Sequence, residues 1–162
     1  MLRHGLSIAF ALLTPATANA AARLPADEQQ CLEAAARRYS LPPLLLSAIR
    51  RQEGGQAGYW HYNRDGSFDY GAMQINSRWL SKLGARGYTA KALVYNSCAN
   101  ITAGAWILAE QLAAHRSWGI IDADPRTYWA GVGDYHSHTP ALNRSYAVRI
   151  WRRYLLLAEP QP

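Results

Sequence analysis

The sequence lacks most of the features that would mark a specialised class of protein. Its 162 residues include only two cysteines, which is too few for a disulfide-rich scaffold. It has no internal repeat with a period of roughly 20 to 50 residues, so solenoids and propellers are excluded. With 49% hydrophobic and 17% charged residues, it is also unlike a disordered chain. One globular domain with a substantial core is therefore expected.

Lysine and phenylalanine are scarce as well. Fifteen of the 17 basic residues are arginine, and with 11 acidic residues the net charge is +6. This excess favours anionic partners such as nucleic acid, membrane surfaces or anionic cell-wall polymers, although a solvated basic surface explains it equally well. Two phenylalanines accompany six tryptophans and ten tyrosines, whose rings serve sugars, nucleobases and cores alike. Composition alone does not choose among these partners.

The first twenty residues resemble a secretory signal peptide. A basic start at Arg3 and His4 precedes a short apolar run over residues 6–13, and Ala18-Asn19-Ala20 fits a small-residue cleavage site. The run is too short to cross a bilayer, and no later apolar run reaches about 18 residues. The sequence therefore predicts export to the periplasm or the exterior, without stable membrane insertion after cleavage.

Four segments follow from this interpretation. Residues 1–20 form the signal peptide, 21–26 a short linker, 27–158 the folded domain and 159–162 a tail. Cleavage leaves 16 basic and 11 acidic residues, a net charge of +5. In an oxidising compartment, Cys31 and Cys98 are expected to form one disulfide, the alternative being two buried thiols.

The pattern along the domain predicts a mostly helical α+β fold with a small β-hairpin lobe and a cleft between the lobes. Turn-forming residues dominate residues 56–76, and Asp65-Gly66 favours a tight hairpin turn. Helical patterns, bounded by proline and glycine, cover residues 27–39, 43–53, 98–114, a segment after Asp124-Pro125, and 140–157.

Two carboxylates attract attention as a catalytic pair. Glu53 ends a predicted helix just before Gly54-Gly55, where the helix dipole disfavours a negative charge. Asp69 lies in the predicted hairpin lobe, so a cleft would bring the two together, as glycosidic chemistry requires. Met73, Ile75 and Trp79 could supply an apolar wall that keeps Glu53 protonated. Asp69 would stay ionised in a polar turn that contains Asn63, Ser67 and Asn76.

Other chemistry-bearing patterns have simpler explanations. His136 and His138 form a His-x-His pair without a third ligand, so no metal site is predicted. Alternating polar residues over 63–69 resemble a calcium loop, but the terminal bidentate glutamate is absent and a hairpin is favoured. The basic and aromatic cluster Arg149, Trp151, Arg152 and Arg153 is interpreted as a solvated helix face rather than a nucleic-acid site.

Four motifs in one order resemble the lysozyme-like lytic transglycosylases, the SLT-domain family. Residues 69–79, Asp-Tyr-Gly-Ala-Met-Gln-Ile-Asn-Ser-Arg-Trp, are similar both to the hairpin of animal-type lysozymes and to the Gly-Leu-Met-Gln-Ile-Asn segment of the bacterial enzymes. Gln52-Glu53-Gly54 resembles the segment with the catalytic glutamate, residues 100–104 the Asn-Ile-x-x-Gly helix, and Gly133-Asp134-Tyr135-His136-Ser137 a third motif that often reads Ala-Tyr-Asn. The small, signal-bearing branch associated with secretion, conjugation and pilus machines is the most similar.

The resemblance implies a lysozyme-like fold and cleavage of peptidoglycan between N-acetylmuramic acid and N-acetylglucosamine. Glu53 would be the single general acid and base, with the sugar's own 6-hydroxyl as nucleophile and no metal or cofactor. Met73, Gln74, Asn76 and Tyr135 would contact substrate or approach the reacting centre. Two departures stand out: Gly54 replaces the common serine, and His136-Ser137 replaces Asn-Ala.

Three other functions remain open on the sequence. A true muramidase would hydrolyse the same bond with water and use Asp69 as nucleophile or charge stabiliser. A non-catalytic glycan-binding component of an envelope machine would need no acid, which Glu53 argues against. A secreted nucleic-acid binder has only the positive charge in its favour.

Overall fold

The computed structural model describes residues 24–115 and 124–159. The predicted signal peptide, the first part of the linker and most of the tail therefore lie outside the described residues. Within the described ranges no helix is long and apolar enough to cross a membrane.

Helices dominate the chain, and the strands cluster between the second and third of them. The helices are α1 (Ala26–Arg38), α2 (Pro43–Glu53), α3 (Leu80–Gly84), α4 (Ala90–Tyr95), α5 (Ser97–Ala114), α6 (Pro125–Asp134) and α7 (Pro140–Ala158). The strands are β1 (Trp60–Tyr62), β2 (Phe68–Tyr70) and β3 (Ile75–Asn76), and a 3-10 turn over Ser77–Trp79 leads into α3. The predicted mostly helical α+β, lysozyme-like fold is confirmed.

Proline and glycine set the ends of α2, as the sequence predicts. Pro43 occupies the first turn, where its missing N–H costs no hydrogen bond. Gly54 caps the other end in the left-handed conformation, with φ of 64°, which glycine adopts without steric penalty. Glu53 is consequently the last residue of the helix.

The β lobe is a three-stranded antiparallel sheet in the order β1-β2-β3 rather than a simple hairpin. Tyr70 pairs with Trp60 on one side and with Ile75 on the other. The third strand is only two residues long, too short for period-two alternation to reveal it in the sequence. The sheet places Asp69 opposite both His61 and Asn76.

Helix α5 is the centre of the fold. Most of its residues from Asn100 to Leu112 are buried, on all sides of the helix, as expected for a helix enclosed by others. It packs against α1, α4, α6 and β3. Burial of each aliphatic side chain contributes roughly 1.5–3 kcal/mol to the stability of the fold. Because α5 contacts helices as well as β3, this burial joins the two lobes.

The start of α5 is fastened to α1 and α2. Cys31 and Cys98 form the predicted disulfide, with Cα atoms 5.2 Å apart and a sequence separation of 67 residues. Such a loop restricts the unfolded chain by roughly 4 kcal/mol on the entropic model. Beside it, Glu28 accepts hydrogen bonds from Arg50 Nε at 2.9 Å and from Ser97 Oγ at 3.0 Å. Because Glu28 and Arg50 are both buried, loss of either partner would strand a charge.

Candidate active site

A cleft of about 550 Å³ separates the sheet lobe from the helical lobe. Glu53 and Asp69 both line it, as do Gln74, Asn76 and Tyr135, so five of the predicted site residues meet there. Ile75 and Trp79, two of the three predicted apolar wall residues, are also present. The cleft therefore combines the expected paired carboxylates with apolar and amide side chains.

Glu53 reaches the cleft because α2 ends against the sheet lobe. Gly55, two residues later, contacts the Gly71 turn so closely that a Cβ at position 55 would lie 2.1 Å from the Gly71 carbonyl oxygen. Gly71 itself has a φ of 61° and would place a Cβ 2.4 Å from the Leu93 carbonyl oxygen. These two glycines let the helix end and the β turn meet backbone to backbone.

The carboxyl of Glu53 is largely withdrawn from water. Burial raises its pKa to about 7, and the negative charge of Asp69 acts in the same direction. Two groups oppose this rise: the Tyr146 hydroxyl, which donates a hydrogen bond to Glu53 Oε1, and the positive charge of Arg149. A carboxyl with a pKa near 7 can both give and take a proton at neutral pH.

Aromatic rings hold the Tyr146 hydroxyl against Glu53. The Tyr146 ring stacks on His136, with centroids 4.9 Å apart, and on Tyr135, with centroids 6.3 Å apart. The Tyr135 hydroxyl donates to the Met73 carbonyl oxygen at 3.0 Å. Burial raises the pKa of both tyrosines well above the usual value. Both phenols are thus neutral hydrogen-bond donors at physiological pH.

Asp69 has a different setting, a network of side-chain amides. Asn63 Nδ2 donates to its Oδ2 at 2.9 Å, and Asn76 Nδ2 donates to its Oδ1 at 2.8 Å. Both amides also contact Ser67 Oγ, at 3.1 and 2.9 Å. Ser67 in turn donates to Asp65. The alternating polar residues of this segment therefore bond to one another across the sheet, which accounts for the pattern that resembled a calcium loop.

Met73 and Gln74 occupy unlike places. The Met73 side chain is fully buried and is not among the residues that line the cleft; its backbone instead positions Tyr135. Gln74 lines the cleft with a φ of 49°, and its Nε2 donates to the Gly71 carbonyl at 2.9 Å. Positive φ is uncommon outside glycine, so the turn that carries Gln74 is held by its surroundings.

Asn100 and Gly104 acquire structural roles that their motif alone does not reveal. Asn100 is fully buried and accepts from the Met73 N–H at 2.6 Å, while its amide donates to the carbonyls of Tyr70 and Leu93 at 2.7 Å each. A Cβ on Gly104 would lie 2.9 Å from Met73 Cε and 3.0 Å from the Tyr135 hydroxyl oxygen. The pair thus fits α5 to the turn beside Glu53.

Sequence reasoning missed Tyr146. It belongs to the buried stripe Asn143, Tyr146, Ala147 and Ile150 of α7, whose spacing is that of any core-facing helix. The one general expectation is that the hydroxyl of a buried tyrosine forms a hydrogen bond. Nothing in the sequence joins that tip to Glu53, which lies 93 residues away.

His115 and His138 both lie within ion-pair distance of Asp134, and of these two only His138 is among the residues that line the cleft. His115 Nε2 lies 2.7 Å and His138 Nδ1 3.2 Å from Asp134 Oδ2, while Asn143 donates to Oδ1 at 2.6 Å. Across residues 24–115 and 124–159, no group of three or more His, Cys, Asp or Glu side chains is arranged to hold a metal ion.

The site geometry agrees with a comparison against protein families. The model of the transglycosylase SLT domain matches residues 30–134, which include Glu53, Asp69 and Asn100. The chain belongs to the SLT-domain family. This SLT-domain protein is therefore a member of a lysozyme-like, glycosidic enzyme family whose domains bind peptidoglycan.

Curated relatives cover most of the same chain. The invasion protein IagB of Salmonella typhi is 34% identical over 131 residues, which span 80% of this chain and 78% of the relative. The protein IpgF of Shigella flexneri is 32% identical over 133 residues, 79% of this chain and 81% of the relative. An X polypeptide of Escherichia coli is 28% identical over 135 residues, 79% and 74% of the two chains.

Proposed function

We propose that this SLT-domain protein is a peptidoglycan lytic transglycosylase in which Glu53 is the only proton-transferring side chain. The observation that carries the proposal is the position of the Glu53 carboxyl: it faces the cleft at the end of α2, and its pKa is raised to about 7 by burial. Such a carboxyl is protonated in a useful fraction of molecules at neutral pH.

The reaction uses this carboxyl twice. Protonated Glu53 gives its proton to the oxygen that links N-acetylmuramic acid to N-acetylglucosamine, and the bond from that oxygen to C1 breaks. The Glu53 carboxylate then takes the proton of the muramic acid 6-hydroxyl, whose oxygen forms the new bond to C1. The product carries a 1,6-anhydro ring, no water is consumed, and Glu53 returns to its protonated state.

The Tyr146 hydroxyl supports the first half of this cycle. A phenol that donates to a carboxylate stabilises the ionised form, so it favours the state in which Glu53 has given up its proton. The stacked rings of Tyr135 and His136 fix the direction of that donor. Asp69, held by Asn63 and Asn76, faces the same cleft and would stabilise positive charge as the bond to C1 breaks.

A hydrolytic muramidase is the second candidate, because the ordered carboxylate of Asp69 is what a retaining glycosidase needs as nucleophile. Mass spectrometry of digested peptidoglycan separates the two reactions. A 1,6-anhydro end lacks one water relative to a reducing end. We expect anhydro products; reducing ends as the main product would assign the protein to the hydrolases instead.

The biological role we propose is local opening of the cell wall for an envelope-spanning machine. The name of the invasion protein IagB, 34% identical to this chain, supports a role in such a process. Export by the predicted signal peptide over residues 1–20 would bring the protein to the wall. Fractionation of cells that produce the full chain tests this: the processed protein is expected in the periplasm or medium, and an unprocessed cytoplasmic protein would contradict the role.

A further inference from the structure

The catalytic cleft continues into a second groove of about 380 Å³. The two share Arg78, Trp79, Gln111 and His138, so the groove is an extension of the cleft and not a separate cavity. Beyond these shared residues it is lined by Lys82 of α3 and Glu110 of α5, among others. We call it the cationic groove.

Charge distinguishes the two spaces. The cleft is lined by four carboxyl groups, those of Glu53, Asp65, Asp69 and Asp134. Its lining residues include one permanent positive charge, that of Arg78. In the cationic groove, two permanent cations and His138 face a single carboxyl group, that of Glu110. A polymer with neutral sugars and anionic branches would therefore place its sugars in the cleft and its branches in the groove.

The cations of the groove are available to a ligand. Lys82 Nζ lies 5.1 Å from the centroid of the Trp79 ring, a cation–π contact that orients the ammonium group and leaves its N–H donors free to bind an anion. Trp79 in turn packs edge-on against Trp106, whose face carries Arg86 at 4.2 Å. Arg78 pairs with Asp65 at 2.8 Å, but both side chains are exposed, and such pairs are weak in water.

We propose that the cationic groove binds the carboxylates of the peptide stems attached to N-acetylmuramic acid, so that the protein selects peptide-bearing strands over bare glycan. The proposal rests on the function given above, because that function supplies the polymer. In peptidoglycan the amino sugar N-acetylglucosamine is neutral, whereas the stem peptide carries free carboxylates. A stem on a sugar near the groove would reach Lys82 with these groups.

The chain provides a matched control, because Lys82 and Lys91 are its only lysines. Lys91 lies on α4, beside a shallow depression lined by Trp60 and Tyr95, and is not among the residues that line the cleft or the groove. Lys82→Gln and Lys91→Gln thus remove the same charge from an exposed helix position. Only the first removes it from the groove.

The experiment measures binding in a Glu53→Gln background, where cleavage does not consume the ligand. Three soluble glycan strands are compared: one with stem peptides, one stripped of them by an amidase so that only the lactyl carboxylate next to each muramic acid ring remains, and one whose stem carboxylates have been converted to amides. We expect the peptide-bearing strand to bind several-fold more tightly than the other two. Lys82→Gln should reduce this preference by roughly two- to fivefold, the scale of one exposed charge pair, and Lys91→Gln should preserve it.

Several outcomes would overturn the proposal: equal binding of the three strands, an equal effect of the two lysine variants, or an amidated strand that binds like the free acid. The preference should also weaken as ionic strength rises, because exposed charges are screened beyond about 8 Å at physiological salt. Cleavage by the protein with Glu53 intact is scored separately. Cleavage without preference contradicts the groove alone, whereas preference without cleavage contradicts the proposed reaction alone.

Discussion

The two carboxylates of the cleft lie only sixteen residues apart in sequence but in opposite chemical surroundings. Glu53 ends a helix, is largely buried, and accepts a hydrogen bond from Tyr146. Asp69 lies mid-strand and accepts from two amides, of Asn63 and Asn76. A catalyst that needs one protonated and one ionised carboxyl must place them in different surroundings. We therefore expect substitution of Glu53 and substitution of Asp69 to reduce cleavage by unequal amounts.

The largest expected effect is the loss of cleavage in Glu53→Gln. The amide preserves the shape but cannot give or retake a proton, so we expect activity on peptidoglycan to fall at least ~100-fold, the lower end of general acid–base contributions. Asp69→Asn should cost less, because the substrate's hydroxyl is the nucleophile in the proposed reaction. Release of soluble fragments measures both, with circular dichroism to confirm folding. Equal collapse of both folded variants would favour the muramidase mechanism.

Asn100 of α5 joins the helical lobe, which carries Glu53, to the sheet lobe, which carries Asp69. Asn100→Ala would remove the hydrogen bonds that Asn100 makes with the Met73 N–H and with the carbonyls of Tyr70 and Leu93, at about 1–3 kcal/mol for each buried group. We expect the free energy of unfolding to fall by at least ~3 kcal/mol in urea titrations. Asn96→Ala serves as the control, because it removes only the cap of α5 and should cost about 1 kcal/mol. Similar losses in both variants would contradict the bridging role.

The burial of Glu53 also predicts a pH-dependent stability. The folded carboxyl has a pKa of about 7 against the ordinary 4.5, so between these values the folded state keeps a proton that the unfolded state has lost. Stability therefore falls as pH rises through this window and stays low above it. Glu53→Gln removes the penalty, and we expect it to be more stable than the parent by up to about 3 kcal/mol at pH ~8, with little difference at pH ~4.

Denaturant unfolding at the two pH values measures this effect. Glu110→Gln is a suitable control, because it changes an exposed carboxyl of α5 and should move stability by the same small amount at both. A Glu53→Gln variant that gained nothing at high pH would mean that the carboxyl is solvated in the folded protein.

The smallest expected effect is a shift in the pH dependence of cleavage. Its direction should differ between variants of the two groups next to Glu53, Tyr146 and Asp69. The Tyr146 hydroxyl lowers the pKa of Glu53 and the charge of Asp69 raises it. Tyr146→Phe should therefore shift the alkaline fall of kcat/KM to higher pH, and Asp69→Asn should shift it to lower pH, each by roughly one pH unit or less. Shifts in the same direction would contradict this arrangement of donor and charge around the carboxyl.

Local signals made much of this fold predictable. Pro43 and Gly54 mark the ends of α2 in sequence and in structure, because their backbone preferences act without help from distant residues. The apolar content of residues 98–114 likewise identified the buried helix α5. Cys31 and Cys98 were paired correctly, since export and two cysteines leave one disulfide as the natural outcome.

Contacts between distant segments could not be predicted from the sequence. β3 is a strand only because Tyr70 and Ile75 pair across a turn, and Asn100 finds its partners at residues 70, 73 and 93. Glu53 could be singled out in the sequence because a negative charge is unfavourable at the C-terminal end of a helix. Its hydrogen bond with the Tyr146 hydroxyl could not be predicted. The roles of Glu53, Asp69, Met73, Gln74, Asn76 and Tyr135 in turnover stay predictions until the variants are measured.

The contact between Gly55 and Gly71 bears on how the enzyme and its polymer adapt to each other. A hinge needs spare room at its axis, yet here two stretches of main chain meet with no space for even a methyl group. We therefore expect the two walls of the cleft to move little relative to each other where the end of α2 meets the Gly71 turn. During binding, the sugar ring rather than the protein is expected to bend, so distortion of the substrate becomes the adjustable element of catalysis.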